Sequence, residues 1–166
     1  HGTADVLAIH DKVSFEQFTP TNSQHTSMRS RLGYALAKSS YSIFVPTSTN
    51  AAGASTVDGY AFIDDQMGQH KPITFAVKLS PAGVVVRQEV MVYRESHGAE
   101  IRSSRFTKQF KGKSVSDSLR PNKDIDTISG ATISSRAITM GVRRALVVFD
   151  AAIAKPQALR VSQATR

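Results

Sequence analysis

The sequence predicts an α+β fold in which an antiparallel, twisted sheet of about five strands packs against helices. Apolar and polar residues alternate over Ile73–Leu79, turn chemistry follows at Ser80–Gly83, and a second extended stretch begins at Val84, an order typical of an antiparallel hairpin. The last third of the chain instead has apolar residues at helical spacing. With 166 residues, 40% of them apolar and 20% charged, the chain suits one globular domain with its own core.

The N-terminal part carries weaker patterns than the rest of the chain. Phe15 and Phe18 predict a short helix that Pro20 ends, because the two rings share one helical face. Residues 27–38 have apolar side chains on one side and basic side chains elsewhere, which predicts a second helix. We therefore assign residues 1–40 to an N-terminal helical extension.

The predicted sheet begins after this extension. Alternating patterns predict strands at residues 40–45 and 58–64. The residues between them, 46–56, are rich in Ser, Thr, Ala, Asn and Gly and predict an exposed loop. The hairpin adds strands at 73–79 and 84–94.

Helical patterns dominate the remainder of the chain. A short helix is predicted at 104–110, and the clearest helix covers 133–154, where Pro156 ends it. These limits give a main domain over residues 41–154 and a tail over residues 155–166.

Composition excludes several classes of site. The chain has no Cys, so it has no disulfide, no Cys-ligated iron–sulfur cluster and no Cys-attached haem. Its five His residues lack paired ligand spacing, and no Gly-x-Ser-x-Gly motif is present, so we assign no metal ligand and no catalytic residue. No apolar run reaches the roughly 18 residues of a membrane span. No signal segment is visible, and we expect that a targeting or anchoring segment preceding His1 has been removed.

The net charge of +8 leaves the choice of partner open. Basic residues concentrate between residues 102 and 113, as they would on a nucleic-acid face, a solvated helix face, a membrane-proximal surface or a surface for an acidic redox partner. Phe106 and Phe110 interrupt this run four residues apart, which is the spacing of a core stripe rather than of a base-stacking surface. We therefore favour a partner other than nucleic acid.

The most informative segment is Asp126–Thr132, with the sequence Asp-Thr-Ile-Ser-Gly-Ala-Thr, directly before the clearest helix. A helix start carries unpaired N–H groups and the positive end of the helix dipole, and both suit a phosphate. Gly130 and Ala131 allow close approach to the backbone, and Thr132 adds a hydroxyl. The alternative interpretation is that Ser129 or Thr132 simply caps the helix.

The order Asp-x-x-Ser-Gly-Ala-Thr resembles the flavinylation motif of the FMN-binding domain family. This family includes flavin-carrying components of the sodium-translocating NADH:quinone reductase and of the related Rnf complex. In the family, the last Thr carries FMN through a phosphoester that a flavin transferase installs from FAD. The resemblance implies that Thr132 is the attachment residue, with the flavin phosphate at the N-terminus of the last helix. It also implies that Asp126 helps the transferase to orient its magnesium-bound FAD.

A second stretch of resemblance follows the long strand. Glu95-Ser96-x-Gly98 matches a turn of the family, and Gln109-Phe110-Lys111-Gly112-Lys113 matches a later segment, although Ser96 stands where the respiratory members of the family have Thr-Pro. The strand ends at this turn, and Gly98 permits close backbone approach. We therefore expect Glu95, Ser96 and Gly98 to contact the isoalloxazine or the ribityl chain, and Ser129, Gly130 and Ala131 to lie beside the phosphate.

The resemblance implies an extracytoplasmic electron-transfer flavoprotein with covalent FMN, an electron carrier rather than a turnover enzyme. Its expected partners are the flavin transferase and redox proteins, including membrane-bound ones. Two alternatives stay open: a sensory or regulatory module that holds FMN, and a basic protein that binds nucleic acid or anionic surfaces without flavin.

Overall fold

The computed structural model describes residues 12–164. In this part of the chain the strands form one six-stranded antiparallel sheet in the order β1-β2-β4-β5-β6, with β3 paired to the end of β2. The α+β fold is therefore confirmed, with one strand more than expected. The strands are β1 (Lys12–Phe18), β2 (Tyr41–Thr49), β3 (Ser55–Val57), β4 (Tyr60–Met67), β5 (Pro72–Leu79) and β6 (Val85–Val92).

The helices of the described chain lie mainly before β2 and after β6. Single 3₁₀ turns at Ala99–Arg102 and Lys108–Phe110 flank the shortest of them. The helices are α1 (Asn22–Leu32), α2 (Ser104–Thr107), α3 (Thr132–Phe149) and α4 (Lys155–Ala164).

The long helix α3 covers one face of the sheet and forms the core with it. Ile138 and Val142 on the helix and Phe75 on β5 are fully buried in this layer. Gly141 lies against the Phe75 ring, where a Cβ atom would overlap the ring carbons, so glycine allows the close approach of helix and sheet. Arg144 adds a polar anchor, since its guanidinium donates to Asp64 at 2.9 Å. These contacts hold the second half of α3 against β4 and β5.

The described beginning of the chain is a strand and not the predicted short helix. β1 pairs along its length with β2, and the Phe15 ring meets Phe44 edge-on at 5.5 Å. Most side chains of β1 are exposed, so the strand has no buried face that would produce an alternating pattern. Pairing with a neighbouring strand therefore decides its structure.

A helix is present where one was predicted at 27–38, but it begins and ends earlier, at Asn22 and Leu32. α1 begins at Asn22, because Thr21 and Gln24 form a reciprocal capping box. It ends at Leu32, because Gly33 adopts a left-handed conformation with φ 79°.

Two further predictions need correction. The loop predicted at 46–56 is shorter, because β2 continues to Thr49 and β3 forms a hairpin with it. The last helical region does not end at Pro156. One π turn, Asp150–Ala154, includes a bond from the Lys155 N–H to the Asp150 carbonyl, and α4 then continues to Ala164. Proline is tolerated there because it lies in the first turn of α4, where its missing N–H costs little. The predicted domain limits at residues 41 and 154 stay predictions.

Candidate functional site

The two segments singled out in the sequence face each other across a groove of about 430 Å³. One wall is the turn that follows β6, and the other is the start of α3. Of the predicted site residues, six line this groove, whereas Ser129 and Asp126 lie in the loop that leads into it. The lining residues are Gln69, His70, Tyr93, Glu95, Ser96, His97, Gly98, Gly130, Ala131, Thr132, Ile133 and Ser134.

Thr132 is the first residue of α3, and its side chain is exposed. The first helical bond runs from the Ser135 N–H to the Ala131 carbonyl at 2.8 Å, so the N–H groups of residues 132–134 have no acceptor within the helix. The N-cap position is Ala131, which has no side-chain oxygen, and no capping bond is present. Neither the Ser129 hydroxyl nor the Thr132 hydroxyl therefore caps the helix. Among the described residues, the Thr132 hydroxyl has no hydrogen-bond partner.

Ser135 holds the motif loop in shape, a role that the sequence analysis missed. Its buried hydroxyl donates to the Ala131 carbonyl at 2.7 Å and accepts from the Ile128 N–H at 3.1 Å. Between these residues a tight turn is closed by the Ala131 N–H and the Ile128 carbonyl at 2.9 Å. Gly130 has φ 81° in this turn, a conformation that glycine adopts without strain. The loop therefore presents Thr132 from a fixed backbone.

The beginning of the motif is held through its backbone. The Asp126 N–H donates to the Gln109 side chain at 2.7 Å, and the Gln109 amide donates back to the Asp126 carbonyl at 3.1 Å. The Asp126 residue is exposed, and its carboxylate makes no hydrogen bond or ion pair with any other described residue. Gln109, from the second stretch of resemblance, is thus a positioning residue for the motif.

A tyrosine and a serine join the two walls of the groove, and neither was predicted. The Tyr93 hydroxyl donates to the His97 carbonyl and lies 3.0 Å from the Ser134 hydroxyl. Gly98 has φ 90°, and a Cβ atom there would lie 2.5 Å from the Tyr93 oxygen and 3.3 Å from that of Ser134. Glycine is therefore needed at position 98 mainly because it lets the turn pack against α3. A lone Tyr at a strand end gives no sequence signal for this role.

Glu95 lines the groove and also closes a neighbouring turn. One carboxylate oxygen accepts the His70 N–H at 2.6 Å and the Lys71 N–H at 2.9 Å. These two bonds from the backbone hold the pKa of the Glu95 carboxyl below its usual range, so the group is ionised at neutral pH. Its neighbours Ser96 and His97 are exposed. The structure thus leaves a fixed negative charge at one wall and the positive end of a helix at the other.

The basic run predicted from the sequence lies on a different surface. Its aromatic members, Phe106 and Phe110, are fully buried with their rings 5.4 Å apart, so they offer no surface for stacked bases. Arg102, Lys108 and Lys111 instead line a second groove, beside β6. Within residues 12–164, the helices are too short or too polar to cross a membrane.

Comparison with known proteins agrees with this geometry. Residues 68–147 match the family model described as the FMN-binding domain, and this range contains every residue that lines the first groove. The crystal structure of NqrC from Shewanella oneidensis has the same fold, with a TM-score of 0.61 and 13% sequence identity over 93% of this chain and 87% of that chain. No curated protein matches the sequence. Residues 68–147 of the chain therefore match the FMN-binding domain family, as the resemblance of the Asp126–Thr132 motif indicated.

Proposed function

We propose that the protein is an electron-transfer flavoprotein that carries FMN covalently, through a phosphoester to Thr132. One observation carries the proposal. The hydroxyl of Thr132 is exposed at the start of α3, uncommitted to any described residue, and faces the Glu95–Gly98 turn across a groove that belongs to the FMN-binding domain.

The residues present fit FMN at both ends. A phosphate on Thr132 lies next to the N–H groups of Ile133 and Ser134, which have no acceptor within the helix, and next to the positive end of the helix dipole. Exposed Arg136 lies one turn further along α3 and adds positive charge. The groove has the size of a small-molecule site and leads from Thr132 to the Glu95 turn. The ring and the ribityl chain would lie along it.

The attachment step follows from the chemistry of a hydroxyl and a pyrophosphate. In the active site of a flavin transferase, the Thr132 oxygen forms a bond to the FMN-side phosphorus of FAD. The phosphorus–oxygen bond to AMP breaks, AMP leaves, and the hydroxyl proton is released. The carboxylate of Asp126 projects from the same loop without a described partner, and we assign to it the orientation of the transferase's magnesium-bound FAD.

Bound FMN supplies transfer of one or two electrons, and the protein supplies position and electrostatics. Attachment through the phosphate leaves the isoalloxazine ring chemically unmodified. Glu95 and the turn around it can then tune the reduction potential of the flavin. We place the protein outside the cytoplasm, where it exchanges electrons with redox proteins, including membrane-bound ones. The absence of Cys is compatible with an oxidising compartment.

Intact mass tests the attachment. The full chain is produced with and without a flavin transferase, and the expected mass increase equals one FMN minus one water in the first sample only. Thr132→Ala abolishes the increase, whereas the control Ser103→Ala keeps it, because Ser103 is an exposed serine outside both the motif and the groove. Denaturation-resistant fluorescence in Thr132→Ala would show that another residue carries the flavin.

A redox experiment tests the electron-transfer role separately. The flavinylated protein is reduced by a chemical donor and mixed with an oxidised acceptor protein. Rapid reoxidation of the flavin with matching reduction of the acceptor supports a carrier. A sensory module would be favoured by two results together. No acceptor protein tested reoxidises the reduced flavin, and reduction changes the fold or assembly of the protein.

A further inference from the structure

The strand β6 is an edge of the sheet and borders a second groove, of about 670 Å³. Among the described strands it pairs only with β5. At its start, Val85 exchanges backbone bonds with Gly112 and Lys113, both at 2.8 Å. At its end, Arg102 donates to the Met91 carbonyl at 3.3 Å. The stretch 86–90 between these two points has a neighbouring strand on one side only.

The charge around this groove is strongly positive. Arg87 forms an ion pair with Glu89, so these two charges offset each other. Arg102, Lys108 and Lys111 line the opposite wall, are exposed, and have no carboxylate partner within the described chain. The groove therefore complements an acidic ligand.

One residue that lines the groove, Gln88, has a buried side-chain amide. Gln88 is 3% exposed, and neither its amide nitrogen nor its oxygen has a hydrogen-bond partner among the described residues. A buried polar side chain without partners is unfavourable unless a ligand supplies them. An amide can both donate and accept, so it is suited to a peptide group.

From these three observations we propose that the β6 groove binds an extended, acidic segment of another protein by strand addition. The main chain of the segment would pair with the free side of β6, and its carboxylates would meet Arg102, Lys108 and Lys111. Single-stranded nucleic acid fits less well, because no aromatic side chain lines the groove to stack on bases. A second copy of this chain fits less well, because two basic edges repel each other.

The proposal goes beyond the proposed function and does not depend on flavin. It does have a consequence for electron transfer, because the groove ends at Met91, two residues before Tyr93 in the wall of the first groove. A protein held on β6 would be positioned beside the candidate flavin site.

The test measures binding of a defined peptide to the flavin-free full chain. The probe is a fluorescently labelled, end-blocked peptide of alternating Glu and Val, followed by anisotropy, and backbone amide shifts are recorded by NMR. We expect binding that weakens with salt and shifts the amides of residues 86–90. Replacing Lys108 and Lys111 together by Glu should weaken binding by about tenfold or more. The matched control Arg105→Glu should change it by less than about twofold, because Arg105 is exposed in α2 but lies outside the groove.

Further arms separate strand addition from simple charge attraction. A peptide of the same sequence with alternate backbone nitrogens methylated cannot pair with a strand, and we expect it to bind at least about tenfold more weakly. Gln88→Leu should also weaken binding of the original peptide, and the thermal stability of the protein should be retained. Equal binding of the methylated peptide, or amide shifts away from β6, would overturn the proposal.

Two outcomes would identify a different occupant and equally overturn the proposal. One is tight binding of single-stranded DNA that depends on Lys108 and Lys111 while the peptide does not bind. The other is a dimer of the free protein, detected by sedimentation, that the Lys108→Glu, Lys111→Glu double variant dissociates. Thermal melts of every variant confirm that it is folded.

Discussion

Tyr93 and Ser134 meet with their hydroxyl oxygens 3.0 Å apart, although they are 41 residues apart in the sequence. Tyr93 directly follows β6, before the Glu95 turn, and Ser134 lies in the first turn of α3. The same tyrosine hydroxyl donates to the His97 carbonyl. One side chain thus fixes the distance between the two walls of the candidate flavin groove.

The first prediction concerns this pair. Tyr93→Phe removes the hydroxyl and should lower the free energy of unfolding by about 1 kcal/mol, because Ser134 and the His97 carbonyl lose a partner. Ser134→Ala should have a similar or smaller effect. Chemical denaturation of both single variants and of the double variant gives the coupling energy of the pair. Strictly additive effects would mean that the two hydroxyls do not interact in solution.

The second prediction compares two glycines of the groove with similar backbone angles. Gly98 has φ 90° and Gly130 has φ 81°, so substitution by Ala imposes about 1–2 kcal/mol of backbone strain at each. At Gly98 the new methyl also overlaps the Tyr93 oxygen, whereas at Gly130 nothing lies within 4 Å. Gly98→Ala should therefore destabilise the protein more than Gly130→Ala. It should also lower affinity for free FMN, measured by fluorescence titration, because the turn moves away from α3. Equal effects of the two substitutions would show that packing at Gly98 is unimportant.

Local signals allowed prediction of the fold class, whereas the two segments that form the groove walls were singled out mainly by their resemblance to the FMN-binding domain family. The Asp126–Thr132 motif combines a turn-forming glycine with a helix start, and the hairpin of β5 and β6 shows clear alternation. β1 was missed because most of its side chains are exposed and pairing alone defines it. Tyr93 was missed for a similar reason, since its role depends on contact with a residue far along the chain.

The end of the last helix shows how tertiary context changes a local rule. Pro156 predicts a stop, and the chain does depart from regular α-helix at residues 150–154. Instead of ending, the chain forms one π turn and restarts, with Asp150 in ion pairs to Arg31 at 2.6 Å and Lys155 at 3.6 Å. The ion pair between Asp150 and α1 lies at this π turn, and the helical region continues past Pro156, where the local rule predicts a stop.

The third prediction separates modification from folding in the motif. Asp126→Ala removes an exposed carboxylate without a described partner, so the melting temperature should stay nearly unchanged while the flavinylated fraction falls. Gln109→Ala removes both side-chain bonds to the Asp126 backbone and should cost about 1–3 kcal/mol of stability. Intact mass and thermal melts of both variants, produced with the transferase, check the contrast. An equal flavin yield in Asp126→Ala and the parent would contradict a role in modification.

The fourth prediction concerns the protonation of Glu95. Its pKa is lowered by the bonds from the His70 and Lys71 backbone, so the stabilisation is complete above the usual glutamate pKa and is lost as pH falls through the lower, folded-state pKa. The amide signals of His70 and Lys71 should therefore shift together in acid, with a midpoint below the usual glutamate range. Glu95→Gln should abolish this titration. A midpoint at or above the usual range would show that the carboxylate does not accept these bonds in solution.

The last prediction uses the same residue to probe the flavin. Glu95→Gln keeps an oxygen that can accept from His70 and Lys71, so the turn is retained while one negative charge is removed from the groove wall. Reduced flavin carries more negative charge than oxidised flavin, and a nearby carboxylate disfavours it. The reduction potential of flavinylated Glu95→Gln should therefore rise above that of the parent. The matched control is Glu100→Gln, an exposed carboxylate that does not line the groove, and it should leave the potential close to that of the parent. If redox titration gives Glu95→Gln the potential and absorption spectrum of the parent, Glu95 serves only to close the turn, and the ring lies elsewhere in the groove.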